Sequence, residues 1–169
     1  LENIDEFYTD QRVGRKIIQA YHYGGEPTSM GLSAFTEMLD SIEEVLSKER
    51  GYEVRHTILT SLVEVDLDEW EPLFRERCGG FLQTSFDGRM RGGKYMRQWN
   101  EKMADAKQRG LTLSTISVVN ERILQEGPKE TLAYLSELGV VESSFLPFMW
   151  NEQNDGLKYD RLAPTMDRW

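Results

Sequence analysis

A single cysteine, Cys78, in 169 residues leaves no internal disulfide and no cysteine-built metal cage. Long apolar runs are also missing: nothing approaches the ~20 residues that cross a bilayer. The N-terminal Leu1-Glu-Asn-Ile-Asp-Glu is too acidic for a signal peptide. By default the expectation is a cytoplasmic address and no membrane partner. No Gly-x-Gly-x-x-Gly follows the first predicted strand, which counts against a dinucleotide-binding sheet, and the absence of Gly-x-x-x-x-Gly-Lys-Ser/Thr excludes a P-loop. Positive charge is scarce, with 20 Lys and Arg against 29 Asp and Glu for a formal charge of −9. A phosphate backbone would be repelled, so no nucleic-acid partner is expected. The chain also lacks an initiating Met and opens on what reads as the middle of a helix, so a piece of a longer protein is expected.

What is present is ordinary for one globular domain over residues 1–169, with 39% hydrophobic and 29% charged residues. Residues 2–14 carry Ile4, Phe7, Tyr8 and Val13 at irregular helical spacing and end at Gly14. A strand is predicted at about 16–23. From Ser33 to Arg50 the apolar positions Phe35, Met38, Leu39, Ile42, Val45 and Leu46 recur every three or four residues, predicting an amphipathic helix stopped by Gly51. Tyr52 to Ser61 predicts a second strand. Asp66-Leu-Asp-Glu opens a helix that runs to Cys78, with acids suited to its N-terminal dipole. A third strand, Phe81 to Phe86, leads through the polar loop Arg89-Met-Arg-Gly-Gly-Lys94 to a helix from about Tyr95 to Arg109. Strand Leu111 to Val119, turn Asn120-Glu121, helix Lys129 to Leu138 and strand Val140 to Phe148 complete the series, and residues 150–169 read as an irregular tail.

Five strands thus alternate with four helices, each helix after the first strand ending in glycine. Such alternation indicates βαβ units and a parallel sheet, either an open doubly wound sheet or part of a (β/α) barrel. In both, the chemistry collects at the C-terminal ends of the strands. The stretch Ala20-Tyr-His-Tyr-Gly-Gly-Glu-Pro-Thr28 places two glycines, a carboxylate and a proline at such an end. Gly24 and Gly25 let the backbone turn sharply and approach a ligand, and Pro27 fixes φ, with Thr28 or Ser29 placed to cap the helix beyond. Leu59-Thr-Ser61, Thr84-Ser-Phe-Asp-Gly88, Val118-Val-Asn120 and Phe145-Leu-Pro-Phe148 are the other ends. Together they supply carboxylates, hydroxyls, an amide and apolar walls, which suits a ligand bearing an amine, a ribose-like diol and a flat ring.

Gly24-Gly25-Glu26-Pro27 is similar to the Gly-Gly-Glu-Pro motif of the radical S-adenosylmethionine (radical SAM) superfamily, as found in its peptide- and protein-modifying maturases. Thr84-Ser85-Phe86-Asp87-Gly88 resembles that family's Ser-x-Asp-Gly strand end, with Arg91-Gly92 beyond it; Ser117 to Asn120 and Glu137 to Val140 match similar runs. The resemblance spans roughly residues 15–148, and order with spacing carries it rather than any single motif. It implies an α/β fold, a partial TIM-like barrel holding roughly five parallel strands of a (β/α)6 core, with SAM and a 4Fe-4S cluster as cofactors. It implies that Gly24, Gly25 and Glu26, followed by Pro27, hold the SAM amino group, that Ser85 faces the ribose or carboxylate, and that Arg91 faces the carboxylate. Val119 and Leu146 would contact the adenine, Ser61 would join the cofactor contacts, and Asp87 would serve proton transfer near a peptide or protein substrate. A flavodoxin- or ferredoxin-like electron donor is implied as well.

Two departures stand out. The Cys-x-x-x-Cys-x-x-Cys loop that binds three irons of the cluster is absent and Cys78 cannot replace it, so the cluster ligands are expected just upstream of Leu1 in the parent protein. Many relatives have Thr-Asn-Gly where this chain has Thr60-Ser61-Leu62, which removes an Asn contact. The alternatives are a non-radical (β/α) barrel lyase or aldolase, which wants a strand-end Lys that is missing here, and a cluster-less binding or scaffold barrel. His22 and His56, inside strands, read as packed or hydrogen-bonded residues rather than ligands. Cys78, Trp70 and Trp99 read as packing, and Trp150 and Trp169 as lining for a missing domain.

Overall fold

The computed structural model describes residues 16–147, together with Ile4 and Glu6. The helix end or capped loop expected over residues 2–14, apart from Ile4 and Glu6, lies outside the described residues, as do Phe148 and the tail with Trp150 and Trp169.

Five strands, β1 (Ile17–His22), β2 (Glu53–Thr60), β3 (Phe81–Ser85), β4 (Thr112–Val119) and β5 (Val140–Pro147), lie in sequential order and are all parallel. Five helices, α1 (Leu32–Glu43), α2 (Leu67–Arg77), α3 (Gly93–Gln108), α4 (Glu121–Glu126) and α5 (Pro128–Glu137), connect them. A doubly wound sheet needs a reversal of strand order. None occurs here, so crossovers of one hand leave every helix on one side. The sheet curls into a half-barrel.

The two sheet faces differ as strand alternation requires. Ile58, Leu82 and Leu113 face the helices and join Phe35, Leu39, Trp70, Phe74, Trp99, Met103 and Leu135 in one core. Trp70 and Trp99 therefore pack as expected, and Cys78 is buried, its thiol pushed up to about 12 by burial. The opposite, concave face is polar: Gln19 donates to Thr57 Oγ1 at 2.8 Å and Gln83 to Ser114 Oγ at 3.2 Å. β1 and β2 pair from Ile17↔Glu53 to His22↔Ile58, whereas β2 and β3 pair only at Leu59↔Gln83 and Thr60↔Thr84. The sheet is therefore zipped beside the C-terminal rim at this seam and open below it, where Gln19, Arg55, Thr57 and Gln83 border a cleft of about 420 Å³.

Local chemistry sets several boundaries differently from the sequence pattern. Neither Thr28 nor Ser29 caps the segment after β1: Glu26 does, its carboxylate accepting from Thr28 N at the start of a 3-10 turn, Pro27–Met30. α1 ends at Glu43 and widens into a π-helical stretch, Glu44–Glu49, before Gly51 turns the chain at φ 72°. The turn at Asn120-Glu121 is the start of α4, because the Asn120 carboxamide oxygen accepts from Arg122 N at 2.9 Å and Ile123 N at 3.2 Å.

Leu62 takes a backbone conformation that glycine adopts most cheaply. It has φ 69°, and it is the one non-glycine residue with positive φ among the described residues, yet its side chain is fully buried in the core. The left-handed conformation costs roughly 1–2 kcal/mol, while burial of a leucine offsets about 2–5 kcal/mol. Leu62→Ala loses the burial and keeps the strain; Leu62→Gly loses the burial and relieves it. Urea unfolding is expected to rank wild type above Leu62→Gly and Leu62→Gly above Leu62→Ala by about 1 kcal/mol, the reverse of the usual order for an ordered position. Alanine scoring better than glycine would sink this account.

Candidate functional site on the strand-end rim

A continuous chain of hydrogen bonds runs across the C-terminal ends of β1 to β4. It begins at Glu26, whose Oε1 accepts from Thr28 Oγ1 at 2.7 Å and Thr60 Oγ1 at 2.6 Å, and whose Oε2 accepts from Ser61 N at 2.7 Å. Burial alone would raise the Glu26 carboxyl, but hydrogen bonds from Ser61, Thr60 and Thr28 outweigh it and hold the group below the usual carboxylate value. The Glu26 loop is thereby bolted to the end of β2. Oε1 is crowded by donors, and Oε2 carries fewer.

From Ser61 the chain passes to Tyr95, which donates from its hydroxyl to the Ser61 carbonyl at 3.1 Å. The same hydroxyl accepts from Arg91 Nη1 at 3.0 Å, and the Arg91 guanidinium lies 5.0 Å from the centre of the Tyr95 ring. Burial raises the Tyr95 phenol against the opposing pull of Arg91 and Ser85. Arg91 Nε then donates to Asp87 Oδ2 at 2.6 Å, with Nη2 at 2.5 Å from the same oxygen. Burial works against the Arg91 charge, yet Asp87 and Tyr95 keep the group above its ordinary value. Finally Asn120 Nδ2 donates to the Asp87 carbonyl at 3.1 Å, joining the end of β3 to that of β4.

The glycines of this rim have distinct reasons. Gly24 and Gly25 adopt φ 104° and 59° with open space where side chains would stand, so their backbone is bare to an incoming ligand. Gly88, at φ 62°, combines a left-handed backbone with tight packing, since a Cβ there would stand 3.1 Å from Ile123 Cγ1.

The structure therefore brings Gly24, Gly25, Glu26, Pro27, Ser61, Ser85, Asp87 and Arg91 to one rim. Leu146, 45% exposed, pairs in register with Val118 rather than Val119. Alternation puts Val118 and Leu146 on the concave face and turns the largely buried Val119 side chain to the other. Sequence reasoning missed Tyr95, which reads as an ordinary tyrosine in the first turn of α3. The one available signal is its spacing, four residues beyond Arg91. Thr60 and Asn120, quoted only as parts of strand ends, turn out to be the joints of the network.

Among the described residues no group of three His, Cys, Asp or Glu side chains could hold a metal ion. The Glu26 carboxylate offers the rim an acceptor for a cationic group, and the Arg91 guanidinium offers donors for an anionic one.

No family model matches the chain, and no curated protein matches it in sequence. Solved structures do match. Native anSMEcpe with bound AdoMet and Kp18Cys peptide aligns at TM-score 0.69 and 13% identity over 91% of this chain and 44% of the other. The same protein with AdoMet and Cp18Cys peptide gives 0.69 and 14% over 90% and 44%; its histidine-tagged form with AdoMet gives 0.65 and 14% over 85% and 39%. These are structures of an anaerobic sulfatase-maturating enzyme, a radical SAM enzyme. The chain spans less than half the length of each, and at such identity the likeness is one of fold.

Proposed function

We propose that this half-barrel is the central part of a radical SAM enzyme, in which SAM is cleaved reductively to a 5′-deoxyadenosyl radical that abstracts hydrogen from a peptide or protein substrate. The observation that carries the reading is the hydrogen-bonded rim itself, from Glu26 through Ser61, Tyr95, Arg91 and Asp87 to Asn120. It sits on a fold whose solved counterparts hold AdoMet and, in two cases, a peptide.

In this reading the chain's own work is to bind, orient and exclude water. The bare carbonyls around Gly24 and Gly25, with Pro27 fixing the turn, and the less crowded Oε2 of Glu26 take the ammonium of SAM. Its carboxylate goes to the N–H groups of Arg91 not used by Asp87 and Tyr95, since a guanidinium has five donors. Ser85 and Ser61 serve the ribose or carboxylate. Leu146, flanked by Val118, and Val119 through its main chain form the adenine wall. Asp87, held at the rim by Arg91 through Oδ2, serves proton transfer near the substrate. With Cys78 the one cysteine of the sequence, the ligands of a 4Fe-4S cluster would have to come from outside it, and a flavodoxin or ferredoxin would supply the electron.

Calorimetric titration of the full-length protein with SAM tests this. Saturable one-to-one binding, competed by S-adenosylhomocysteine, is the expected outcome. Heats indistinguishable from dilution would remove the proposal.

A further inference from the structure

Behind the rim, on the helix-covered side of β1 and β2, lies a polar network that SAM binding does not use. His22 Nε2 is 2.9 Å from His56 Nδ1, and His56 Nε2 is 3.2 Å from Glu43 Oε1 on α1. Glu43 Oε2 is in turn 2.5 Å from Arg77 Nη1 on α2, and Arg77 also pairs with Asp40. His22 is the last residue of β1 and packs edge-on against Phe35 of α1 at 5.4 Å. The His56 side chain is 1% exposed.

We infer that His22 and His56, held by Glu43 and Arg77, are positioning residues that fix the end of β1 beneath Gly24-Gly25-Glu26 and make ligand binding at the rim sensitive to acid. The inference rests on the SAM-binding reading for its ligand but not for its geometry. A carboxylate only accepts, so His56 Nε2 must donate to Glu43; His56 Nδ1 is then an acceptor, and His22 Nε2 must donate to it. One tautomer of each neutral ring satisfies the whole chain. A proton added at His56 Nδ1 sets N–H against N–H and breaks the side-chain link from His22 to β2, whereas one added at His22 Nδ1 leaves the link in place. Two residues beyond His22, the backbone enters the glycine turn.

The surroundings favour the neutral pair. Burial, and then His56, hold His22 below the ordinary imidazole value. Burial lowers His56 more than Glu43 raises it, and Arg77 adds to the lowering. The charged groups facing the pair are Asp40 and Glu43 from α1 and Arg77 from α2; Cys78, just beyond α2, has its thiol pushed up to about 12 and stays neutral. Since both rings titrate lower when folded, the unfolded chain binds more protons in acid. The stability they contribute is complete above the ordinary value of 6.5 and is lost as pH falls through the folded values.

The test compares full-length wild type with His22→Gln and His22→Leu, titrating SAM between about pH 5 and 8 and following amide exchange of Tyr23 to Glu26 without SAM. A glutamine at 22 donates to His56 Nδ1 when that nitrogen is bare and, by turning its amide, accepts from it when protonated. His22→Gln is therefore expected to bind SAM like wild type at neutral pH and to lose the several-fold acid weakening that wild type shows. His22→Leu, which strands a buried nitrogen, is expected to weaken binding several-fold throughout. Acid profiles of wild type and His22→Gln that superimpose in both binding and exchange would overturn the inference. If SAM fails to bind wild type at any pH, the proposed function falls, and amide exchange alone still decides the role of the pair.

Discussion

Glu26→Ala is expected to weaken SAM binding by about ten- to a hundredfold, because hydrogen bonds to a charged group contribute roughly 1.5–3 kcal/mol and each 1.4 kcal/mol is a factor of ten. The same substitution strips the acceptor from Thr60 Oγ1, in a residue only 1% exposed, and from Ser61 N. Stability and binding should therefore fall together in this variant. Glu26→Gln separates them. The carboxamide oxygen can replace Oε1 for Thr28 and Thr60, while the amide nitrogen faces the Ser61 N–H and presents no acceptor to an ammonium. Glu26→Gln should thus unfold between wild type and Glu26→Ala, because the donor facing Ser61 N–H costs part of what the retained oxygen restores, yet bind SAM nearly as poorly as Glu26→Ala. Since Glu26 is held below the usual carboxylate value of 4.5, the stability it confers is present above that pH and lost only as pH falls through its lower folded value. Measurements near neutrality therefore compare a fully charged residue with its neutral replacements. Calorimetry on both variants decides the matter, and wild-type affinity in both would end the assignment of Glu26 as a ligand.

The fold was largely legible in the sequence because its punctuation is physical. Gly51, Gly80, Gly110 and Gly139 all take positive φ where the chain leaves a helix for the next strand, and no other residue enters that conformation as cheaply. The β-branched runs between them became strands with bounds within a few residues of the pattern. The barrel was legible only through the motif resemblance, since alternation of strands and helices by itself fits a doubly wound sheet equally well and only strand order separates the two. Which rim residues converge was half legible. Glu26, Ser85 and Asp87 could be placed at strand ends by counting, but Tyr95 reaches Ser61 across 34 positions through tertiary packing alone. The histidine pair was hidden for the same reason: His22 and His56 meet only after β1 and β2 take the register Ala20↔His56. Val119 illustrates a further limit, because the bulge between Leu113 and Ser114 shifts the β4–β5 pairing and makes Val118 the mate of Leu146.

Arg91→Leu is the second large effect expected, and it divides two roles that the geometry gives to one side chain. Removing one member of a buried ion pair costs roughly 3–5 kcal/mol, because the other charge is left without a partner. Asp87 retains 9% of its side-chain exposure, but Arg91 keeps 35% in water, so the loss here is discounted to about 2 kcal/mol. The double variant Asp87→Asn, Arg91→Leu no longer strands a charge and should recover much of that stability in urea unfolding. If Arg91 also grips the SAM carboxylate, affinity should drop about tenfold in Arg91→Leu, the scale of one charge-assisted contact. That drop should persist in the double variant, since neutralising Asp87 restores no donor. Recovery of both stability and affinity in the double variant would make Arg91 a strut for Asp87 and nothing more. Persistence of the binding loss beside recovered stability would identify the N–H groups turned away from Asp87 as the ones that meet the ligand.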